Sequence, residues 1–314
     1  MYVLGFDIGG TKCAVVTALV DDGEITLLKK EKCATDLTVS PEKMIEKLID
    51  MAESILDRKP DAIGISCGGP LDSKKGVIMS PPNLVGWDNV KIVDIIGKHY
   101  GVMAKLQNDA NACALAEWRF GAGKGCENMV FLTFGTGLGA GLILGGRLYE
   151  GTNGNAGEVG HIRLAPQGPV GYGKSGSFEG FCSGGGIAQL GLSMAQEAIE
   201  SGKTPSYFKE GDTLADITAA RIANAAKNGD ETALAVYRES GYYLGRGLSV
   251  LIDILNPERI VIGSIFARSG ELLWKYAKEE IEKEALGISA ACCDVVPAVL
   301  GENIGDYAAI ATAL

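Results

Sequence analysis

The stretch YVLGFDIGGTKCAVVTALV, residues 2–20, contains two apolar segments joined by a short turn sequence. Residues 2–8 and 14–20 are rich in Val, Ile, Leu and Thr, which predicts two strands, and the GGTK between them predicts a tight turn. A third predicted strand, residues 25–33, follows the turn sequence DDGE. The chain is therefore expected to begin as a meander of three strands.

Helices and further strands follow this meander. Apolar residues recur at helical spacing from Pro41 to about Arg58, and a second helix is expected from about Asp88 to Tyr100. Strands are predicted over residues 62–67 and 102–106. The order βββαβαβ predicts a mixed sheet covered by helices.

The same plan begins again in the second half of the chain. A strand is predicted over residues 129–134, followed by the turn sequence GTGLGAG and a strand over residues 141–144. Later segments predict helices over about 230–255 and 269–285, a strand at DVVPAVL and a C-terminal helix at NIGDYAAIATAL. The duplication predicts an α/β protein of two domains with a cleft between them: residues 1–115, completed by the helix at about 302–314, and residues 116–301.

The bulk composition restricts the class of protein. The 314 residues are 46% hydrophobic, enough for two cores, and no apolar run reaches the roughly 18 residues of a membrane helix. A net charge of −10 disfavours a nucleic-acid partner. The eight cysteines include no CxxC pair, so they are expected to be small, buried residues of a cytoplasmic protein without a membrane partner.

The turn sequence DIGGTK has the composition of a phosphate-binding loop. Gly9 and Gly10 let the backbone approach an anion closely. Thr11 adds a hydroxyl donor and Lys12 adds positive charge. Asp7, at the end of the strand, can hold Mg²⁺ through a water molecule. A plain Gly-Gly hairpin without a ligand is the alternative interpretation.

The sequence TFGTGLGAG, residues 133–141, offers a second hairpin of the same kind. Thr136 and Gly137 correspond to Gly10 and Thr11 of the first copy, and they add another hydroxyl and further backbone amides. Two such hairpins facing each other can hold one polyphosphate between them. Neither contains the GxxxxGK[ST] pattern, which disfavours a P-loop fold.

The segment LQNDANACALAEWRF places Asn108 and Asp109 where a predicted strand ends and a helix begins. Asp109 is therefore a candidate N-cap of that helix. A carboxylate at a strand end beside a cleft is also well placed to take a proton from a substrate hydroxyl. Both interpretations stay open, because one carboxylate can serve both roles.

Four motifs, DIGGTK, NDANACALAE, TFGTGLGAG and EVGH, occur in an order that resembles the ROK family of bacterial sugar kinases. The resemblance runs through essentially the whole chain. It implies the actin-like, ribonuclease H-like ATPase fold that Hsp70 and hexokinase share. It also implies ATP- and Mg²⁺-dependent phosphorylation of a hexose or hexosamine, usually at the 6-hydroxyl, by a homodimer.

The resemblance also implies roles for individual residues, with Asp109 as the general base. The implied sugar ligands are Gly69, Asn83, Asn108, Asp109, Glu158, His161 and Glu179, and the implied phosphate and nucleotide ligands are Asp7, Gly9, Gly10, Thr11, Lys12, Thr136, Gly137 and Gly263. Carboxylates and amides suit a ring of sugar hydroxyls. The family usually has a second glycine after Gly263, where this chain has Ser264.

The loop HIRLAPQGPVGYGKSGSFEGFCSGGG, residues 161–186, departs from the family. Many ROK proteins carry a CxCGxxGCxE segment here, whose three cysteines bind a structural zinc together with the histidine. Val170, Tyr172 and Ser177 occupy those cysteine positions in this chain, so no zinc is expected. Tyr172 and Phe178 are expected to anchor the loop by packing instead.

The leading functional hypothesis is an ATP-dependent kinase that phosphorylates glucose at its 6-hydroxyl. Kinases of the same family that act on N-acetylmannosamine, N-acetylglucosamine or fructose are the first alternative. A sugar-sensing ROK protein that binds sugar without phosphoryl transfer is the second, although the presence of Asp7, Thr11, Asp109 and Thr136 disfavours it. Because the chain begins directly at its first strand, no DNA-binding module is expected.

Overall fold

The computed structural model describes residues 1–314, with thirteen strands and ten α-helices. The strands are β1 (Tyr2–Ile8), β2 (Lys12–Asp21), β3 (Glu24–Ala34), β4 (Ala62–Cys67), β5 (Leu71–Asp72), β6 (Val77–Ile78), β7 (Ala104–Asn108), β8 (Met129–Phe134), β9 (Leu138–Ile143), β10 (Val170–Gly171), β11 (Lys174–Ser175), β12 (Arg259–Ile262) and β13 (Asp294–Pro297). The helices are α1 (Pro41–Ile55), α2 (Ile92–Tyr100), α3 (Asp109–Phe120), α4 (Phe178–Phe181), α5 (Gly184–Glu200), α6 (Ala219–Lys227), α7 (Glu231–Leu255), α8 (Ile265–Glu284), α9 (Gly287–Ala290) and α10 (Ile304–Ala313).

The first sheet has the strand order β3-β2-β1-β4-β7. Strands β1 to β3 form the predicted antiparallel meander, whereas β4 and β7 run parallel to β1. The register pairs Ile8 with Cys67 and Cys67 with Asn108, so the three parallel strands end side by side. The residues that follow these ends share one edge of the sheet, where α/β proteins commonly bind ligands.

Helices cover both faces of this sheet. Ser40 caps α1, its hydroxyl accepting a backbone N–H of the first turn at 3.4 Å, and Met44 and Leu48 on the buried side of α1 join the core. Helix α10 packs closely on the sheet, because a Cβ at Gly64 would lie only 1.9 Å from the carbonyl oxygen of Ala309. The approach of α10 to β4 therefore requires glycine at position 64.

The second large sheet has the order β13-β12-β8-β9, with β12 parallel to both β8 and β13. Helices α7 and α8 pack against each other at two glycines. A Cβ at Gly241 would lie 2.6 Å from the carbonyl oxygen of Leu273, and one at Gly245 would lie 2.5 Å from that of Ala277. Small residues thus let the two longest helices approach closely.

The predicted start of the second helix at Asp88 is wrong, since α2 begins at Ile92. The residues before it are held by another element. Val90 pairs with Ile78 at the end of β6 through two backbone hydrogen bonds of 3.0 Å. This pairing requires extended backbone where the apolar spacing suggested a helix.

The predicted turn GTGLGAG is shorter than expected. Strand β9 already begins at Leu138, whose side chain is buried, and the N–H of Gly139 donates to Oγ1 of Thr133 at 2.8 Å. The turn between β8 and β9 is therefore limited to residues 135–137. Strand β9 is buried at every residue except Gly139, and this burial, rather than the glycines, decides where the strand starts.

Contacts divide the chain into two compact units: residues 1–127 with 141–156 and 299–314, and residues 128–140 with 157–298. Each unit contains one of the two large sheets and helices packed on it, so each is α/β in class. The domain boundaries predicted from the sequence stay a prediction. None of the helices combines the length and the apolar character that a membrane span requires.

Candidate active site

The carboxyl ends of the parallel strands gather several predicted site residues in the first unit. Asp7 is the second-last residue of β1, Gly69 follows β4, and Asn108 ends β7. A Cβ at Gly69 would lie 3.1 Å from Nδ2 of Asn108, a tight contact that glycine avoids. Asp109 comes next in the chain, as the first residue of α3.

The hairpin between β1 and β2 is closed by a hydrogen bond of 3.1 Å from the N–H of Gly9 to the carbonyl of Lys12. Neither Gly9 nor Gly10 has a positive φ, so these glycines provide space rather than an unusual backbone conformation. A Cβ at Gly10 would lie 2.3 Å from the carbonyl oxygen of Asn83, which places Asn83 directly against the hairpin. Thr11 and Lys12 are exposed at its tip.

Thr35, which the sequence analysis missed, braces this hairpin from the end of β3. Its Oγ1 donates to the carbonyl of Gly9 at 2.6 Å, and its N–H donates to the carbonyl of Thr11 at 3.0 Å. The Sγ of Cys13 lies 3.3 Å from the same Oγ1. Only the register of β2 and β3 brings Thr35 to the hairpin, so no local sequence signal marks it.

Replacing Gly10 with alanine is expected to displace Asn83 and the hairpin together, because a Cβ 2.3 Å from a carbonyl oxygen cannot be accommodated in place. We expect a loss of about 1–3 kcal/mol in the free energy of unfolding, measured by urea denaturation. Gly287→Ala is the matched control, since a Cβ at Gly287 meets no atom within 4 Å. Equal stability of Gly10→Ala and the wild type would contradict the close contact.

Asp109 is not the N-cap of α3, so that interpretation is wrong. Asn108 keeps extended backbone angles and caps the helix, its Oδ1 accepting the N–H of Ala110 at 3.0 Å. Asp109 is already helical, its Oδ1 accepts the same N–H at 2.8 Å, and its Oδ2 faces the backbone of Gly68. The carboxylate is exposed to solvent, yet the protein packed around it raises its pKa.

Asp7 lies among several charged side chains. It is half-buried, and loss of solvent together with the negative charges of Asp306 and Asp109 raises its pKa to about 6, against the opposing effect of Lys12 and Lys30. Asp306 is buried and pairs with Nζ of Lys30 at 2.5 Å.

A second set of predicted site residues lies in the other unit. Glu158 and His161 are exposed at the two ends of a short 3₁₀ helix. Glu179, in α4, bonds to the second hairpin: its Oε2 accepts the N–H of Leu138 at 2.9 Å, and a Cβ at Gly137 would lie 2.7 Å from the same oxygen. This link between the residue 161–186 loop and the second hairpin could not be read from the sequence.

The residue 161–186 loop is anchored by aromatic packing, but Tyr172 is not an anchor as expected. Its side chain is 80% exposed, with its ring 6.4 Å from that of His161. Phe178 is fully buried against Gly247, as the sequence predicted. The anchor that the sequence analysis missed is Phe181, whose ring stacks on Tyr243 with centroids 3.5 Å apart.

The family's zinc positions are occupied by groups with other roles. Ser177 is buried and caps α4, its hydroxyl accepting the N–H of Gly180 at 3.1 Å. Cys182 lies outside the three cysteine positions; it is buried, and its Sγ donates to the carbonyl of Ser240 at 3.5 Å. No group of three or more His, Cys, Asp or Glu side chains gathers where it could hold a metal ion.

A cavity of about 240 Å³ lies in the second unit among α6, α7 and α8. Ala219, Ala223, Tyr237 and Ile265 line it, together with polar Asn224, Lys227, Arg268 and Ser269. Gly263, which donates its N–H to the carbonyl of Leu132 at 2.9 Å, immediately precedes Ser264 at the start of α8. Apolar walls that carry several polar groups are typical of small-molecule sites.

Ser264 is strained: its φ of 53° and ψ of −107° belong to a region that favours glycine. Ser264→Gly is therefore expected to raise the free energy of unfolding by about 0.5–1 kcal/mol. Ser264→Ala is the control, because it removes the 3.2 Å contact between the hydroxyl and Arg268 while the strain stays. A destabilised glycine variant in urea denaturation would contradict this interpretation.

Comparison with known proteins supplies an independent assignment. The ROK family model matches residues 3–313. A glucokinase of Halalkalibacterium halodurans is 35% identical over 97% of this chain and 92% of its own length. A xylose repressor of Caldicellulosiruptor bescii is 31% identical over 78% of this chain and 61% of its own length.

The structural match extends over the whole chain. The crystal structure of a ROK family glucokinase from Streptomyces griseus, in complex with glucose and AMPPNP, matches with a TM-score of 0.78 and 30% identity, covering 100% of this chain and 99% of that one. The predicted actin-like ATPase fold is thereby confirmed.

Proposed function

Because this chain belongs to the ROK family, we propose that it is a hexose kinase that transfers the γ-phosphoryl group of ATP to the 6-hydroxyl of glucose. The end-to-end similarity to glucokinases supports the hexose kinase activity. The observation that carries the proposal furthest is the position of Asp109, an exposed residue at the carboxyl edge of the sheet. Its Oδ1 accepts the N–H of Ala110, and its Oδ2 faces Gly68.

Asp109 acts as the general base. It accepts the proton of the attacking hydroxyl as the new oxygen–phosphorus bond forms. The raised pKa of Asp109 brings its basicity closer to the working pH, which favours proton transfer. The protein forms no covalent intermediate in this scheme, because phosphoryl transfer depends on positioning and on charge stabilisation.

The two hairpins hold the phosphates. In the first, Thr11 and Lys12 are exposed and available as a hydroxyl donor and a positive charge, and Gly10 keeps the backbone close to Asn83. In the second, Thr136 and Gly137 offer a hydroxyl and backbone amides. These groups counter the negative charge that moves from one oxygen to another during transfer.

Asp7 fits a magnesium ion. Mg²⁺ prefers oxygen ligands and keeps several waters, and Asp7 is a carboxylate whose pKa is raised by burial and by the neighbouring Asp306 and Asp109. A cation beside Asp7 would relieve that repulsion. When bound there through water, Mg²⁺ would supply positive charge to the phosphate oxygens.

The nucleotide base and the sugar are held by the remaining residues. We assign the adenosine group to the cavity at the start of α8, which offers apolar Tyr237 and Ile265 together with polar Asn224 and Ser269. The sugar ligands in this proposal are Gly69, Asn83, Asn108, Glu158, His161 and Glu179. Because Glu179 already bonds to Leu138 of the second hairpin, sugar contact with Glu179 would be communicated to the phosphate-binding backbone.

Purified protein should release ADP when ATP, Mg²⁺ and a sugar are present, as measured with a coupled enzyme assay. Glucose, N-acetylmannosamine, N-acetylglucosamine, fructose and allose form the panel, and we expect the highest kcat/KM with glucose. A preference for an N-acetylated sugar would overturn glucose as the proposed substrate but would leave the proposed kinase activity in place. Sugar binding without ADP release from any of them would favour the sugar-sensing alternative, which the repressor relative keeps open.

A further inference from the structure

A second cavity, of about 520 Å³, lies in the first unit outside the set of residues discussed above. Its walls come from the β5–β6 hairpin, β7, α3 and α10. Leu106, Leu115 and Ala311 form an apolar part of the lining. The volume lies within the range of about 300–1,000 Å³ that small-molecule sites occupy.

Three cationic side chains line this cavity without a carboxylate partner. Lys74 and Lys105 form no ion pair, in contrast to neighbouring Lys75, which pairs with Asp72 at 2.9 Å. Arg119 contacts the ring of Trp118 at 5.5 Å, and its Nε is buried without a hydrogen-bond partner. Because Nε has almost no accessible surface, an anion in the cavity would meet the guanidinium through its Nη groups.

The carboxylates of the lining do not cancel these charges. Glu150 is already engaged, accepting hydrogen bonds from Oγ of Ser73 at 2.6 Å and from Nε2 of Gln107 at 3.1 Å. Asp94 is the other acidic side chain in the lining. The cavity therefore presents a cationic side, suited to a phosphate, together with acceptors suited to hydroxyl groups.

One wall of the cavity is bonded directly to the start of α3. Gln107 is buried, and its Oε1 accepts the backbone N–H of Asn108 at 2.8 Å and Nδ2 of Asn111 at 3.2 Å. Asn108 in turn caps the helix that begins at Asp109. A ligand that competes for Gln107 or Glu150 thus changes the hydrogen bonds that position the base.

We propose that this cavity is a regulatory site for a small phosphomonoester of the sugar-phosphate class. Arg119, Lys74 and Lys105 hold the phosphate, and Asp94, Glu150 and Gln107 meet the hydroxyl groups. The effect on turnover passes through Gln107 to Asn108. Only this effect rests on the proposed kinase function, since binding itself needs no catalysis.

Calorimetric titration of the full chain with glucose 6-phosphate and with inorganic phosphate, under saturating glucose, tests the binding. We expect both probes to bind, glucose 6-phosphate more tightly, and each to lose about tenfold in affinity in Arg119→Met and in Lys74→Gln/Lys105→Gln. The double variant changes only exposed side chains, so it keeps the test valid if Arg119→Met folds poorly. Lys43→Gln, an exposed cation on α1, is the control and should bind normally.

Three outcomes would overturn the proposal. Neither probe binds, the wild type and the double variant bind with equal affinity, or inorganic phosphate binds while glucose 6-phosphate does not. In kinetics, glucose 6-phosphate should change kcat in the wild type at saturating glucose and lose this effect in Lys74→Gln/Lys105→Gln. Inhibition that only raises KM for glucose would overturn the regulatory role. A protein without kinase activity that still binds both probes would contradict the proposed kinase function and support the proposed binding site.

Discussion

Asp109→Asn is expected to lower the turnover of glucose by about 10²–10⁴-fold, because an amide cannot accept the proton of the attacking hydroxyl. The affinity for glucose should change little, since asparagine has nearly the size of aspartate and Asn108 rather than Asp109 caps α3. Steady-state kinetics measure the loss of kcat, and a glucose titration of the variant measures the affinity.

Asp50→Asn is the matched control for this experiment, because it makes the same chemical change at an exposed position of α1. It should retain wild-type kinetics and stability. Near-normal turnover in Asp109→Asn would remove Asp109 from the role of base. A large loss of glucose affinity with unchanged kcat would make it a binding residue instead.

Asp7→Asn is expected to abolish most turnover and yet stabilise the fold at pH 8. The pKa of Asp7 is raised to about 6 in the folded protein from an ordinary value of 3.8, so folding disfavours its ionised form. Between these two pH values the folded protein keeps a proton that the unfolded chain has lost, and stability falls as the pH rises. Above pH 6 the ionised carboxylate of Asp7 lowers the free energy of unfolding by its full effect, about 1–2 kcal/mol once solvent screening is considered.

Urea denaturation with EDTA, at pH 4 and at pH 8, measures this effect. Asparagine removes the charge, so the free energy of unfolding of the variant should exceed that of the wild type by about 1–2 kcal/mol at pH 8. This difference should shrink toward pH 4. Asp50→Asn again serves as the control and should show no such pH-dependent gain. A variant that is less stable than the wild type at pH 8, or a gain that does not depend on pH, would contradict this account of Asp7.

Local sequence predicts the buried parallel strands of this protein well. The bounds of β4 and β8 are those expected from their apolar runs, because both strands are almost wholly buried and turn residues follow them. Boundaries that depend on partners distant in the sequence are not predictable in this way. The pairing of Val90 with Ile78 delays α2, and Gly101 ends α2 in a left-handed conformation, so that β7 begins only at Ala104.

The candidate site residues stand out in the sequence as residue types and motifs, but their contacts do not. The sequence identifies Asn108 and Asp109 as a polar pair at a strand end, whereas the dihedral angles decide that Asn108 is the cap. Similarly, Gly10 was predicted as a turn glycine. Glycine is needed there because Asn83, which is distant in the sequence, leaves no room for a Cβ. Tertiary contacts of this kind leave no periodic signal in the chain.

The residue 161–186 loop shows the same limit. Hydrophobic character identified Phe178 correctly, yet gave Tyr172 equal weight, although Tyr172 has a φ of 43° and lies in solvent. Phe181 is the second anchor because α7 presents Tyr243 opposite it. The packing partner Tyr243, rather than the composition of the loop, decides which aromatic residue is buried.

Phosphorus NMR of the wild-type protein with ATP, Mg²⁺ and glucose tests the central claim most directly. The account predicts that the γ-phosphate signal of ATP declines while ADP and glucose 6-phosphate signals grow in equal amounts, and that Asp109→Asn shows almost no conversion. ATP consumption without a sugar phosphate, or conversion by Asp109→Asn at the wild-type rate, would contradict it.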